Sequence, residues 1–171
     1  MASLLKDKVF ILDVDGVITT GKFIYSENGK IYKIFGPDDH DALNILNDYV
    51  EIIFITGDKS GFNITKKRIE DHMNYPLELV STHSRLDWIK QRYDLNNVIY
   101  MCDGIFDFNV AKNIFYSIAP SNADEDLKKI VSFVTIRKGG DRSVSEACKH
   151  LYKKFVATNN TLDGFFDRFI K

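Results

Sequence analysis

A chain of 171 residues is one domain's worth of polypeptide, long enough to bury a core and too short for two large ones. With 44% hydrophobic and 27% charged residues the composition excludes a disordered or membrane-embedded protein, and a net charge of −1 offers no electrostatic footprint for nucleic acid or an anionic membrane. The opening MASLLKDKVFILDVDG has an apolar run too short, and too soon broken by aspartates, for a signal peptide or membrane span, so a cytoplasmic protein is expected. Cys102 and Cys148 lie far apart without metal-site spacing and are expected to be reduced apolar fillers.

In chain order, the strand-forming run Val9–Leu12 delivers the chain to Asp13, Asp15 and Gly16. The segment GKFIYSENGKIYKIF follows, with two β-rich arms, Lys22–Tyr25 and Lys30–Phe35, about a Ser-Glu-Asn-Gly turn, which predicts a hairpin over about 20–36. Beyond it, apolar positions at helical spacing in Asp41–Tyr49, Gly61–Asp71, Arg85–Tyr93, Phe106–Lys112 and Ala123–Lys129 alternate with short apolar runs. Those runs, Glu51–Ile55, Leu77–Val80, Asn97–Cys102, Phe115–Ile118 and Ser132–Thr135, read as strands. Gly139 and Gly140 open a predicted helix to about Phe155, and a helical tail over about 157–171 ends in a short aromatic-rich helix, Asp163–Ile170. The order is that of βα units feeding a mostly parallel sheet in a single α/β domain.

The chemistry gathers at strand ends. In an extended chain residues i and i+2 point the same way, so Asp13 and Asp15 can face one crevice beyond the carboxyl edge of the sheet, where ligands of open α/β folds bind. Two close carboxylates raise each other's proton affinity unless a cation neutralises them, and an oxygen-only site suits Mg²⁺. The same Asp-Val-Asp-Gly is also compatible with a strand-end turn in which Asp15 is a cap. A second strand ends on Asp103, with Asp107 four residues on in CDGIFDFN, where it could also cap the next helix. A third ends in Thr56-Gly57, a hydroxyl and a flexible backbone of the kind that holds phosphate oxygens.

Taken in this order, DVDGV, ITG, a basic residue on a helix and CDGIFD resemble the haloacid dehalogenase (HAD) phosphohydrolase superfamily over roughly residues 8 to 146. The immediate hairpin, the lack of a large cap insertion and the late GGDRSVSEA look like its capless sugar-acid phosphatases. The fold implied is a Rossmann-like HAD core with helices on both sides of the sheet. The resemblance implies that Asp13 is the nucleophile, forming an aspartyl-phosphate, and that Asp15 is the acid and base. It also implies that Asp13, the Asp15 backbone carbonyl and Asp103 hold Mg²⁺ with Asp107 as a further ligand, and that Thr56, Gly57 and Arg85 hold the phosphate of a small ester substrate. The alternative is an inactive homologue kept as an oligomerisation module, as in CMP-sialic acid synthetases.

Three positions depart from that pattern: Arg85 stands where the family has lysine, Asp58 where these phosphatases usually carry arginine, and Gly104 where a second aspartate is usual. Arginine for lysine is not a conservative exchange, because a rigid fork replaces a point charge. Asp38 is expected to cap a helix, with Asp41 in its first turn; Asp39 falls where the family has an aspartate near the site. If Arg85 is not the charge partner of Asp13, it is a solvated first-turn residue with Ser84 as cap. His40, His72, His83 and His150 lack ligand spacing and read as surface or packing residues, with His83 the one candidate substrate neighbour. Trp88 and the set Phe165, Phe166 and Phe169 read as core or interface. Phe23, Tyr25, Ile31 and Ile34 make the hairpin too apolar to stand alone in water, and the resemblance implies a homotetramer packed through it.

Overall fold

The computed structural model of the chain describes residues 4–158 and 160–167. Eight strands and seven α-helices are distinguished: β1 Val9–Asp13, β2 Thr19–Ser26, β3 Gly29–Phe35, α1 Asp39–Leu46, β4 Glu51–Thr56, α2 Phe62–Lys66, β5 Leu77–Leu79, α3 Arg85–Lys90, β6 Val98–Met101, α4 Phe108–Asn113, β7 Tyr116–Ala119, α5 Glu125–Lys128, β8 Phe133–Val134, α6 Ser143–Phe155 and α7 Asp163–Phe166. Six strands form one parallel sheet in the order β5-β4-β1-β6-β7-β8, and β2 and β3 pair antiparallel beside it. The chain builds outward from β1 to β4 and β5, then returns to place β6 on the other flank. The carboxyl ends of β1 and β6 therefore border the point where strand order reverses.

All five β1 residues are buried, as a central parallel strand requires. Phe10 and Leu12 pack with Leu43 and Leu46 of α1 and with Val144, Ala147, Cys148 and Leu151 of α6, a stripe at helical spacing. Val9 and Ile11 face the opposite layer, with Ile89 of α3, Val110 and Ala111 of α4 and Leu127 of α5. Both cysteines are free and buried. No helix among the described residues is long and apolar enough to cross a membrane.

Every predicted strand of the parallel sheet is present within one residue of its predicted ends, the first hairpin arm starts three residues earlier than expected, and apart from the hairpin the described residues contain no inserted cap. Three local readings are corrected. Helix α6 begins at Ser143, because Gly140 and Arg142 adopt φ of 68° and 66° and turn the chain first. Asp38 does not cap α1: at φ 65° its carboxylate pairs with Arg142, while the Asp39 N–H is already satisfied by the Pro37 carbonyl at 2.8 Å. Arg85 is buried, not solvated, and the Ser84 hydroxyl donates to the Ser81 carbonyl instead of capping α3. Of the terminal aromatic helix, Asp163–Phe166 is helical with Phe165 buried; Phe169 and Ile170 lie outside the described residues.

Candidate active site

Asp13 is the last residue of β1 and shares the parity of Val9 and Ile11, which aims it at the layer containing α3. There it meets Arg85, the first residue of α3, whose Nη1 and Nη2 donate to Asp13 Oδ2 and Oδ1 at 2.9 Å each. Asp13 Oδ1 also accepts the Val14 N–H at 2.8 Å. Arg85 Nη1 further reaches Asp107 Oδ1 at 2.6 Å and the Tyr100 hydroxyl at 2.8 Å, and that hydroxyl donates to Asp107 Oδ1 at 2.7 Å. Asp107 does not cap α4; its Oδ2 accepts the Gly104 N–H at 3.1 Å and closes the turn after β6.

Asp103 completes the group. Asp13, Asp103 and Asp107 each offer one oxygen within 4.8 Å of the others. Burial, reinforced by the Asp13 and Asp107 charges, pushes the Asp103 carboxyl up to about 8, and no hydrogen bond from the described residues supports its charged form. Burial likewise pushes Asp13 up to about 6, against the opposing pull of Arg85. Burial works against the Arg85 charge, but Tyr100, Asp13 and Asp107 more than offset it and drive its pKa upward. Three carboxylates face one permanent cation, a deficit of positive charge that a divalent ion would fill. Gly16, at φ 84°, makes the assembly sterically feasible, because a Cβ there would lie 1.8 Å from Asp103 Oδ2.

Asp15 turns the other way. Its Oδ2 accepts from Lys33 Nζ at 2.9 Å, and its contacts to the Thr56 and Thr19 hydroxyls are long, at 3.5 Å. Thr56 is fully buried, its hydroxyl accepting the Asp58 N–H at 3.1 Å, while Gly57 lies at the surface. A cavity of about 200 Å³ is lined by Asp13, Asp15, Gly57, Asp58, Arg85, Asp103 and Asp107, with Thr82, Gly104 and Phe106 at its wall. Of the residues expected to act on substrate, metal or phosphate, all except Thr56 line this one cavity and Thr56 stands behind it, whereas Asp39 is not part of its lining. A larger cleft of about 420 Å³ near Ile105, Phe108 and Lys129 lacks such converging carboxylates.

Sequence reasoning missed Tyr100 and Lys33. A tyrosine in the apolar run VIYMC carries no local signal of its buried hydroxyl's partners. Lys33 lies in the β-rich arm Lys30–Phe35, where strand alternation alone does not mark it as the buried residue. His83 is an exposed neighbour of the cavity wall, edge-on to Phe106 with ring centroids 4.6 Å apart, and His150 is a packing residue stacked on Phe133 at 3.7 Å.

No protein-family model matches the chain. It is 28% identical over 159 residues to a 3-deoxy-D-manno-octulosonate 8-phosphate phosphatase of Escherichia coli (strain B / BL21-DE3), spanning 86% of this chain and 80% of that protein. The crystal structure of the Moraxella catarrhalis phosphatase of that name, in complex with magnesium ion, phosphate ion and KDO, superposes with a TM-score of 0.77 at 23% identity, covering 98% of this chain and 95% of that one. A HAD superfamily (subfamily III A) hydrolase from Legionella pneumophila gives a TM-score of 0.75 at 20% identity over 96% and 90% of the two chains. Together with its sheet order, hairpin and acidic strand ends, the chain is similar in sequence to 3-deoxy-D-manno-octulosonate 8-phosphate phosphatases and has the fold of HAD hydrolases.

Proposed function

We propose that the chain is a Mg²⁺-dependent phosphatase that hydrolyses a small acidic sugar phosphate, 3-deoxy-D-manno-octulosonate 8-phosphate or a 9-phosphorylated nonulosonate, through an aspartyl-phosphate. One observation carries the reading: three carboxylates, Asp13, Asp103 and Asp107, converge within 4.8 Å at the mouth of the sheet against a single arginine. The all-oxygen donor set and its uncompensated charge fit Mg²⁺, which Asp13, Asp103 and Asp107 would hold with the Asp15 carbonyl. When bound, the ion would supply the positive charge that lets an anionic nucleophile approach an anionic ester.

The chain's own residues divide the reaction into two displacements. An Asp13 oxygen bonds to phosphorus as the ester P–O bond breaks, and the departing oxygen takes a proton from Asp15. Water then bonds to phosphorus and gives its proton to Asp15 as the bond to Asp13 breaks, which restores both carboxyl groups and releases phosphate. Gly57 at the cavity wall, with Thr56 behind it, is placed to hold a non-bridging oxygen, and Arg85 fixes the Asp13 carboxylate. A second reading, a weak or inactive homologue serving as an oligomerisation module, draws on one feature: the Arg85 fork engages both oxygens of the proposed nucleophile.

Phosphate release from a panel of sugar phosphates separates the two. Wild type should turn over at least one ester, EDTA should stop it, and Asp13→Asn should lose roughly 10³-fold or more with its fold intact. Undiminished activity in the variant refutes the nucleophile; a wild type inactive on every ester favours the module. The assembly proposed is a homotetramer packed through the hairpin, supported by exposed Ile24, Tyr25, Ile31, Tyr32 and Ile34. A monomer at micromolar concentration by light scattering would remove it.

A further inference from the structure

The second arm of the hairpin, β3, carries two lysines, Lys30 and Lys33, that the proposed reaction leaves without a role. Phe23 pairs with Lys33, Ile24 with Tyr32 and Tyr25 with Lys30, so Ile31 is an extra residue in β3 and forms a bulge. Cross-strand partners share a face, and the bulge therefore puts Lys30 and Lys33 together on the side of Phe23 and Tyr25. On that side the Lys30 and Lys33 side chains turn inward to Asp58 in the loop after β4, while Tyr25 stays exposed. Lys33 is the one buried residue of β3, flanked by exposed Tyr32 and Ile34.

Its ammonium is fully committed. Lys33 Nζ lies 2.9 Å from Asp15 Oδ2, 2.8 Å from Asp58 Oδ2 and 2.8 Å from Thr65 Oγ1, three oxygens for three donors. With no exposed side-chain surface and no spare proton, it is built to hold other side chains and has nothing to offer a ligand. Asp58 is held in turn: Lys30 pairs with the same oxygen, and the Gly61 N–H and Ser60 hydroxyl donate to the other at 3.0 and 2.9 Å. Burial alone would raise the Asp58 carboxyl, but the bonds from Lys30 and Lys33 outweigh it and keep it well below the carboxylate range. Lys30 is itself capped by the Phe23 ring, 3.5 Å from the ring centre. Gly61 is the position that leaves room for this cluster, since a Cβ there would lie 2.2 Å from Asp58 Oδ2 and 2.8 Å from Lys33 Cε.

Asp15 needs such a tie. Its backbone sits in an extended conformation before the left-handed Gly16, and its two hydroxyl contacts at 3.5 Å are too long to fix the carboxylate. We propose that Lys33 is the positioning residue of Asp15: it anchors Oδ2 from behind, so that Oδ1 is the oxygen presented to the departing ester oxygen. The inference rests on Asp15 being the acid and base of the reaction proposed above. The inward face of the hairpin then completes the acid–base half of the site, with Asp58 and Lys30 bracing the anchor.

The experiment compares kcat/KM on two leaving groups, because this ratio covers the steps up to leaving-group departure. An alkoxide must be protonated as it leaves, whereas p-nitrophenolate departs without a proton. Lys33→Met should lose about 30-fold or more on a sugar phosphate that the wild type hydrolyses and less than about 5-fold on p-nitrophenyl phosphate. Lys33→Arg, which keeps the charge, and Asp58→Asn, which loosens the anchor, should show the same leaving-group selectivity in weaker form and serve if Lys33→Met does not fold. Equal losses on both esters in a folded variant would show that Lys33 only pins the hairpin, and no loss on either would show that it does not position Asp15; both overturn the inference and leave the phosphatase reading intact. A wild type that hydrolyses neither ester overturns that reading first, and this inference with it.

Discussion

Arg85 heads the fully buried side chains of the described residues in volume, and it is tolerated there because its fork is met by Asp13, Asp107 and the Tyr100 hydroxyl. The fit has a cost, since Nε is buried without a partner among the described residues. Arg85→Met would leave two buried carboxylates without their counter-ion and should lower stability by about 3–5 kcal/mol in urea unfolding. Arg85→Lys keeps the charge and sheds the orphaned Nε, so it should lose clearly less; equal losses would mean that fork geometry outweighs charge. Gly16→Ala tests a neighbouring constraint. At φ 84° the alanine backbone is strained by about 1–2 kcal/mol, and its Cβ displaces Asp103, so activity should fall roughly 100-fold for a modest drop in melting temperature. A fully active variant would show that Asp103 is not needed where it stands.

At the scale of elements, the hairpin inverts the usual pattern, with apolar side chains outward and a lysine buried. Strict alternation places residues 30 and 33 on opposite faces, so a sequence reading sees the turn and the arms but not the inward lysine pair; the Ile31 bulge that reunites them is decided by pairing across β2 and β3. The outward face supports the proposed assembly. Ile24→Asp combined with Tyr32→Asp, at exposed positions paired across the strands, should shift the mass seen by light scattering from tetramer to monomer without unfolding the core. An unchanged mass would place the interface elsewhere.

Across the whole molecule, distant segments lock the site's scaffold. The Gly140 N–H donates to the Val17 carbonyl at 3.0 Å and the Ser143 hydroxyl to the same oxygen at 3.1 Å, tying the start of α6 to the turn after Asp13. Asp39, at the head of α1, accepts the Ser145 N–H of α6 at 2.8 Å, while its other oxygen is buried without a partner among the described residues. Burial raises this carboxyl from 3.8 to about 6, so the folded chain binds its proton more tightly than the unfolded one. Its contribution to stability is therefore greatest below about pH 4 and is lost as the pH rises through about 6. Asp39→Asn does not titrate and keeps the Ser145 bond, so its stability relative to wild type should rise between pH 4 and pH 7, by on the order of 3 kcal/mol at most. A pH-independent difference in denaturant titrations would refute the assignment. From the sequence Asp39 reads as part of an acidic helix start and as falling where the family has an aspartate near the site; its burial against Ser145 depends on α6 packing over it. What the sequence determined by itself is what local periodicity and strand-end chemistry encode: the parallel α/β order, the hairpin and the roster of acidic residues at the sheet edge. What only the tertiary structure decided is which further charges meet, because pairings such as Lys33 with Asp15, 18 residues apart, depend on how the hairpin and the layers close and how much water they exclude.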